Sequence, residues 1–346
     1  MRPGSAADFR APAHVPIAIT TRGDGVESIH WGSVAVTDRA GHVLRAAGEP
    51  RAMVFTRSAL KPLQALPFVR DGGPARFGYD RAQIALLCAS HSGEPRHVEA
   101  VRDMLARAGN RAEDLQCGTH APGHYEARGE VPPPPPYTPL AHNCSGKHAG
   151  MLACCALHGW SKGDYLDTGH PLQRAIRTAV AAFSGVAEGD LHAGVDGCSA
   201  PNYALPLAAL ARSFARLAAA EPDDPDFGAA PAMLREAMVA CPEMVSGAGR
   251  PDAALMAAGR GDWVAKVGAE GVQAIGISSL GIGIAVKVAD GAKRALLPVV
   301  VAALDQLGLL DGARREALAP YTRPNVHNYR GIVTGTIEPV VELQRG

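Results

Sequence analysis

The chain has few aromatics, 5% of its 346 residues, and no net charge, with 34 Lys and Arg against 34 Asp and Glu. It has no basic stripe with interleaved aromatics, the usual footprint of a nucleic-acid partner, so none is expected. No run of about 18 uninterrupted apolar residues occurs, so no membrane span is expected. The opening "MRPGSAADFRAPAHVP" lacks the apolar core of a signal segment, and residues 1–14 read as a disordered tail of a cytoplasmic protein. There is no CxxC pair. Seven cysteines at irregular spacing, Cys88, Cys117, Cys144, Cys154, Cys155, Cys198 and Cys241, argue for a reducing compartment and mostly buried, inert thiols. No internal repeat is found.

What remains is an ordinary globular balance, 47% apolar and 20% charged, in a chain long enough for one large domain or two. "VPIAITTR" and "SIHWGSVAVTD" are rich in β-branched residues and end in turn signals, so the start reads as strands. Helical signals follow residue 57. Pro95 opens a segment with Val98, Val101, Leu105 and Ala108 on one face, closed by Gly109. Residues 145–158 form a second candidate helix ending at Gly159, Pro171 opens a third, and 203 to about 220 gives a fourth. "DWVAKVGAE", "GVQAIGIS" and "GIGIAVKVAD" return to strand character. A helix over "AKRALLPVVVAALDQLG", started or kinked at Pro298, and a strand in "GIVTGTIEPVVEL" end the chain. The pattern predicts an α+β fold: an antiparallel sheet from both chain ends, 15–57 and 262–346, and a mostly helical middle, 58–261, in one catalytic unit. "EVPPPPPYTPL" reads as a stiff surface connector, with one wall of a cleft as the alternative.

Five segments carry groups that do chemistry. In "TRSALKPLQAL", Ser58 and Lys61 lie three apart, on one face of a helix. A lysine made less basic by burial or nearby positive charge can take the proton of a weakly nucleophilic serine. The plain alternative is the first turn of a helix. "CASHSGEPRH" places Ser90 in a polar junction, where Ser92 is a candidate cap for the helix begun at Pro95. "HNCSGKHAGM" sets Cys144, Lys147 and His148 before an apolar helix that Asn143 or Ser145 would cap. "GVDGCSAPNYALP" brackets Asp196 and Cys198 in a tight turn. If Cys144 and Cys198 converge they can share a metal, although two thiolates fall short of four ligands. "VAKVGAEG" puts Lys266 before a glycine on a strand, as in the Lys-Thr-Gly element of Ser-x-x-Lys enzymes.

Together these five segments and "VESIHWGSVAVTD" resemble the rhizobial-type L-asparaginase family, also called asparaginase II, over about residues 15–340. The resemblance implies a serine β-lactamase/glutaminase-like fold, a homodimer, and hydrolysis of L-asparagine to aspartate and ammonia. It implies two Ser–Lys pairs, Ser58 with Lys61 and Ser90 with Lys266, of which Ser58–Lys61 is expected to attack. It implies one zinc ion per subunit on Cys144, Lys147 and Cys198, and substrate-site roles for Arg57, His148 and Asp196. A glutaminase or another Ser-x-x-Lys amidohydrolase or peptidase is the alternative enzyme. A non-enzymatic metal binder on Cys144 and Cys198 is the alternative of another class.

Overall fold

The computed structural model describes residues 10–346. Of the expected tail, residues 1–9 lie outside the described residues, and at its end His14 Nδ1 hydrogen-bonds Ser33 Oγ at 2.8 Å. The chain opens with β1 (Val15–Arg22), β2 (Gly25–Asp38), β3 (Val43–Ala47) and β4 (Met53–Phe55). β5 (His192–Val195) and β6 (Pro201–Pro206) lie mid-chain. β7 (Trp263–Gly268), β8 (Val272–Ile277), β9 (Ile282–Val288), β10 (Asn325–His327), β11 (Val333–Pro339) and β12 (Gln344–Arg345) belong to its last third.

The main sheet runs β10-β11-β1-β2-β9-β8-β7, with β3 joining β2 to β12. Every pairing is antiparallel, so strands from the two chain ends build one sheet, in the α+β class that the sequence predicts. Its centre takes the helix Leu207–Ala218 at very short range. Gly276 and Gly283 are register partners in β8 and β9. A Cβ there would lie 2.2 Å from Phe214 O and 1.9 Å from Ala211 O of that helix, which is why both positions have no side chain. Ile275, Ile277, Ile282, Ile284 and Val286 alternate to the other face and are buried. A second helix, Lys293–Gln306, packs against β1, β9 and β11.

The middle departs from the expectation in one respect. It is helical over Pro95–Arg107, Ser145–His158 and Pro171–Ser184, as the Pro and Gly punctuation predicts. The fourth helix begins only at Leu207, because residues 201–206 are β6. β6 stands between β4 and β5 in a second, three-stranded sheet. That small sheet carries β4 straight into the segment holding Ser58. The proline run is exposed irregular chain that ends in the 3-10 turn Pro139–Ala141. Among the described residues, no helix is long and apolar enough to cross a membrane.

Candidate active site

Five separate segments bring the site together. After β4 the chain enters a 3-10 turn, Arg57–Leu60, and then the helix Lys61–Arg70. Arg57 has φ 50°, a left-handed conformation that costs a non-glycine residue about 1–3 kcal/mol. Asn202 on β6 holds it there. Arg57 N donates to Asn202 Oδ1 at 3.1 Å, and Asn202 Nδ2 donates to Arg57 O at 3.0 Å. The turn thus aims the Arg57 guanidinium at the β5–β6 loop, where Nε donates to Asp196 Oδ1 at 2.7 Å. Burial pushes the Asp196 carboxyl up, but Arg57 and Lys147 outweigh it and hold the group below its ordinary value.

Lys61 is 1% exposed. Its Nζ donates to Ala89 O and lies 2.9 Å from Ser90 Oγ. Ser90 belongs to a buried loop that follows the helix Arg81–Leu87 and has its backbone groups satisfied from outside. Ser90 N donates to Val245 O at 2.8 Å, and His91 N to Asn143 O at 3.2 Å. His91 Nδ1 accepts from Gly93 N, so its Nε2–H donates to Ser145 Oγ at 2.9 Å. Burial, the largest factor, drives His91 well below its ordinary value and so keeps it neutral. Ser92 does not cap the next helix: it donates to Glu94, which precedes that helix and whose side chain reaches its first turn.

Cys144, not Asn143 or Ser145, stands at the N-cap of the helix Ser145–His158. Spacings of three and four from Cys144 put Lys147 and His148 on one face with it. Lys147 Nζ donates to Cys198 Sγ at 3.0 Å. The two thiols act as a pair. Contact with Cys198 is the largest factor holding the Cys144 thiol well below its ordinary value, helped by Lys61 and Lys147, and the same contact raises Cys198. Of the remaining cysteines, Cys88, Cys117, Cys154 and Cys155 are pushed up to about 12 by burial, as inert thiols are. His148 is fully buried and hydrogen-bonds Tyr165 Oη through Nδ1 at 2.7 Å. Its Nε2 has no hydrogen-bond partner among the described residues, and burial lowers the ring to about 4.

The lysines pair differently from the expectation. No hydrogen bond joins Ser58 to Lys61 or Ser90 to Lys266 among the described residues. Lys61 goes to Ser90, because its long side chain runs into the core, where the buried Ala89 carbonyl needs a donor. Lys266 on β7 goes to Asp252, at 3.2 Å, with both side chains fully buried. Ser58 is half-buried, one turn before Lys61.

Arg57 and Asp196 line a cleft of about 440 Å³ together with Phe55, Asn202, Glu270 and Lys287. Arg57 and Asp196 are the predicted site residues on this cleft; Ser58, Lys61, Ser90, His148 and Lys266 do not line it. A larger open groove of about 770 Å³, along Asp38, Arg39 and Ser279, contains no member of the five segments. Asn202, Asp252 and Tyr165 escaped the sequence reading. Asn202 lies inside a motif already singled out, whereas Asp252 reads in sequence as an ordinary acid in a first helical turn.

Whether the thiol cluster suits a metal follows from its donor set. No three of His, Cys, Asp and Glu stand close enough to hold an ion among the described residues, so any site here must use the lysine. A readily ionised thiol (Cys144), a second beside it (Cys198) and the buried amine of Lys147 are three donors that would leave a four-coordinate zinc one open position, with the orphaned imidazole nitrogen of His148 on the same helix side.

A family model described as L-asparaginase II matches residues 18–339. No curated protein matches the chain.

Proposed function

The chain belongs to the L-asparaginase II family, which makes it an amidohydrolase of the asparaginase type, and on that premise we propose that it hydrolyses the side-chain amide of L-asparagine through a Ser–Lys pair. The observation that carries the proposal is the buried contact of 2.9 Å between Lys61 Nζ and Ser90 Oγ. A neutral Lys61 would donate to Ala89 O and accept the Ser90 proton, the arrangement a general base needs.

Ser90 Oγ attacks the amide carbon as its proton passes to Lys61. The tetrahedral intermediate collapses, Lys61 returns the proton to the departing nitrogen, and ammonia leaves. Water, deprotonated by the same amine, releases aspartate from the acyl-enzyme. Arg57 and Asp196 bring one charge of each sign to a cleft where a zwitterionic amino acid would bind, although Ser90 and Lys61 do not themselves line it. Ser58, half-buried at the turn between Arg57 and Lys61, supports this site instead of attacking, the reverse of the sequence expectation. Cys144, Lys147 and Cys198 would hold zinc, with His148 next to them. When bound, zinc would polarise a water or a substrate oxygen. Lys147 must lose its proton to be a ligand, and the neighbouring thiols resist that loss, since against burial they raise its pKa.

Ammonia release from L-Asn by Ser90→Ala and Ser58→Ala tests the reading. Loss of a nucleophile costs on the order of 10⁶-fold in kcat when it acts as a unit with its base. Ser90→Ala is expected to approach that loss, and Ser58→Ala to keep measurable turnover. The opposite order returns the attack to Ser58. Release from L-Gln but not L-Asn by the unmodified enzyme would make it a glutaminase.

A further inference from the structure

Two of the three buried lysines of the site, Lys61 and Lys266, sit among different kinds of partner. Lys61 Nζ meets a carbonyl and a hydroxyl, Ala89 O and Ser90 Oγ. The hydroxyl can donate as well as accept, so a lone pair on this amine would find a donor. Lys266 Nζ meets only acceptors, Asp252 Oδ2 at 3.2 Å and Val267 O at 2.9 Å. No group among its hydrogen-bond partners can donate to a lone pair, so this environment suits an ammonium.

Asp252 is itself fixed from several directions. Its Oδ2 also accepts from Val267 N at 3.0 Å, and its Oδ1 from Gln273 Nε2 at 3.1 Å. It stands in the first turn of the helix Pro251–Gly259, where a negative charge is favoured. With Lys266 it is fully buried. A charge so placed is tolerated only when paired, and removal of its partner is strongly destabilising.

We propose that Asp252 is a positioning residue of the site, holding Lys266 as an ammonium, so that Lys266 serves as a fixed positive charge near Lys61 and not as a second proton acceptor. The role rests on the amidohydrolase reading given above. It also explains why the chain spends two buried lysines on one reaction: one accepts the proton, and the other stays charged. An ammonium has three N–H groups, and Lys266 uses two on Asp252 and Val267.

The charged and titratable groups facing Lys266 are Asp252 and Arg250 at the start of the helix Pro251–Gly259, Lys61, and Cys88 at the end of the helix Arg81–Leu87. Cys88 is a neutral thiol, raised to about 12 by burial. Burial, the largest factor, brings Lys266 down to about 8; Asp252 opposes that fall, and Lys61 and Arg250 add to it. Without the carboxylate, only lowering influences remain.

The test is the pH profile of kcat/KM for ammonia release from L-Asn, with Asp252→Asn and Asp252→Glu, and lysine side-chain NMR titration of the unmodified enzyme. A required Lys266 ammonium places an alkaline limb near 8. Asp252→Asn is expected to move that limb to lower pH by at least one unit, and Asp252→Glu to restore it. A uniform drop in activity with an unmoved limb would show a merely structural carboxylate and overturn the proposal. So would a Lys266 resonance that reports a neutral amine at pH 7 in the unmodified enzyme, a measurement that needs no folded variant. If the unmodified enzyme releases no ammonia, the amidohydrolase reading fails, while the NMR titration still decides the state of Lys266.

Discussion

Replacing Lys61 with methionine removes the amine and keeps a side chain of similar length. Two oxygens lose their donor, Ala89 O and Ser90 Oγ. The Ser90 hydroxyl can turn to another partner, but the Ala89 carbonyl is buried and cannot. An orphaned buried acceptor costs about 1–3 kcal/mol. Against this, a buried amine carries a desolvation penalty of several kcal/mol when charged, and an apolar replacement recovers part of it. The terms oppose each other, and a net change within about 3 kcal/mol of the unmodified protein is expected from them. Activity has no such compensation. Loss of a general base removes about 10²–10⁴-fold, and more where base and nucleophile act as a unit. Lys61→Met should therefore unfold in urea close to the unmodified protein and release ammonia from L-Asn at least about 100-fold more slowly. A folded Lys61→Met protein with activity within about tenfold of the unmodified enzyme would refute the assignment of Lys61 as base.

Cys198→Ser should bind zinc more weakly by at least the 10–100-fold that even an outer partner of a metal ligand contributes, measured by competition with a chelating dye; unchanged affinity would remove Cys198 from the ligand set. Arg57→Ala removes the hydrogen-bonding guanidinium that, with Lys147, opposes the effect of burial on Asp196, so the carboxyl pKa rises. A carboxylate held low contributes stability that is present above its unfolded value, about 3.9, and is lost as pH falls through the folded value. In Arg57→Ala that loss starts at higher pH, so the acid-unfolding midpoint followed by circular dichroism should move up. Coincident midpoints would show that the 2.7 Å contact has no net worth.

What could be read from the chain and what could not divides along a physical line. Helix limits at Pro95, Gly109, Gly159 and Pro171 were legible because Pro and Gly act locally, on their own φ angles. The three late strands were legible from β-branched runs broken by glycine. β6 was not, since "PNYALP" runs into "LAALAR" with no change of apolar character. Only the two prolines that bound β6 mark it off, and what makes it a strand is pairing with β4 and β5, which is tertiary. The five site segments stood out as polar clusters in apolar text. Their cross-pairing did not. The i, i+3 rule joined Ser58 to Lys61, but Lys61 answers a buried carbonyl 28 residues away. Asp252 carried no signal, because its importance lies in what the β7 backbone and Gln273 present to it.

The pairings also bear on which amine is proposed as the base. Four cationic side chains reach the site: Arg57, Lys61, Lys147 and Lys266. Arg57 is held by the Asp196 carboxylate, Lys266 by the Asp252 carboxylate, and Lys147 by the Cys198 sulphur beside an easily ionised Cys144. Each of these three would leave an anion or a thiolate without its counter-charge if it lost a proton, and a buried unpaired charge is the costly state. Lys61 donates to two uncharged oxygens, Ala89 O and Ser90 Oγ, and it also helps hold the readily ionised Cys144 thiol low. Its one anionic neighbour is the Cys144 thiol, which Cys198 and Lys147 also stabilise. Lys61 is the one lysine of the three that is hydrogen-bonded to a serine hydroxyl, and the Cys144 thiol is the group its deprotonation would leave less supported. Selecting the base by charge partners, and not by sequence spacing, leads to Lys61 and Ser90.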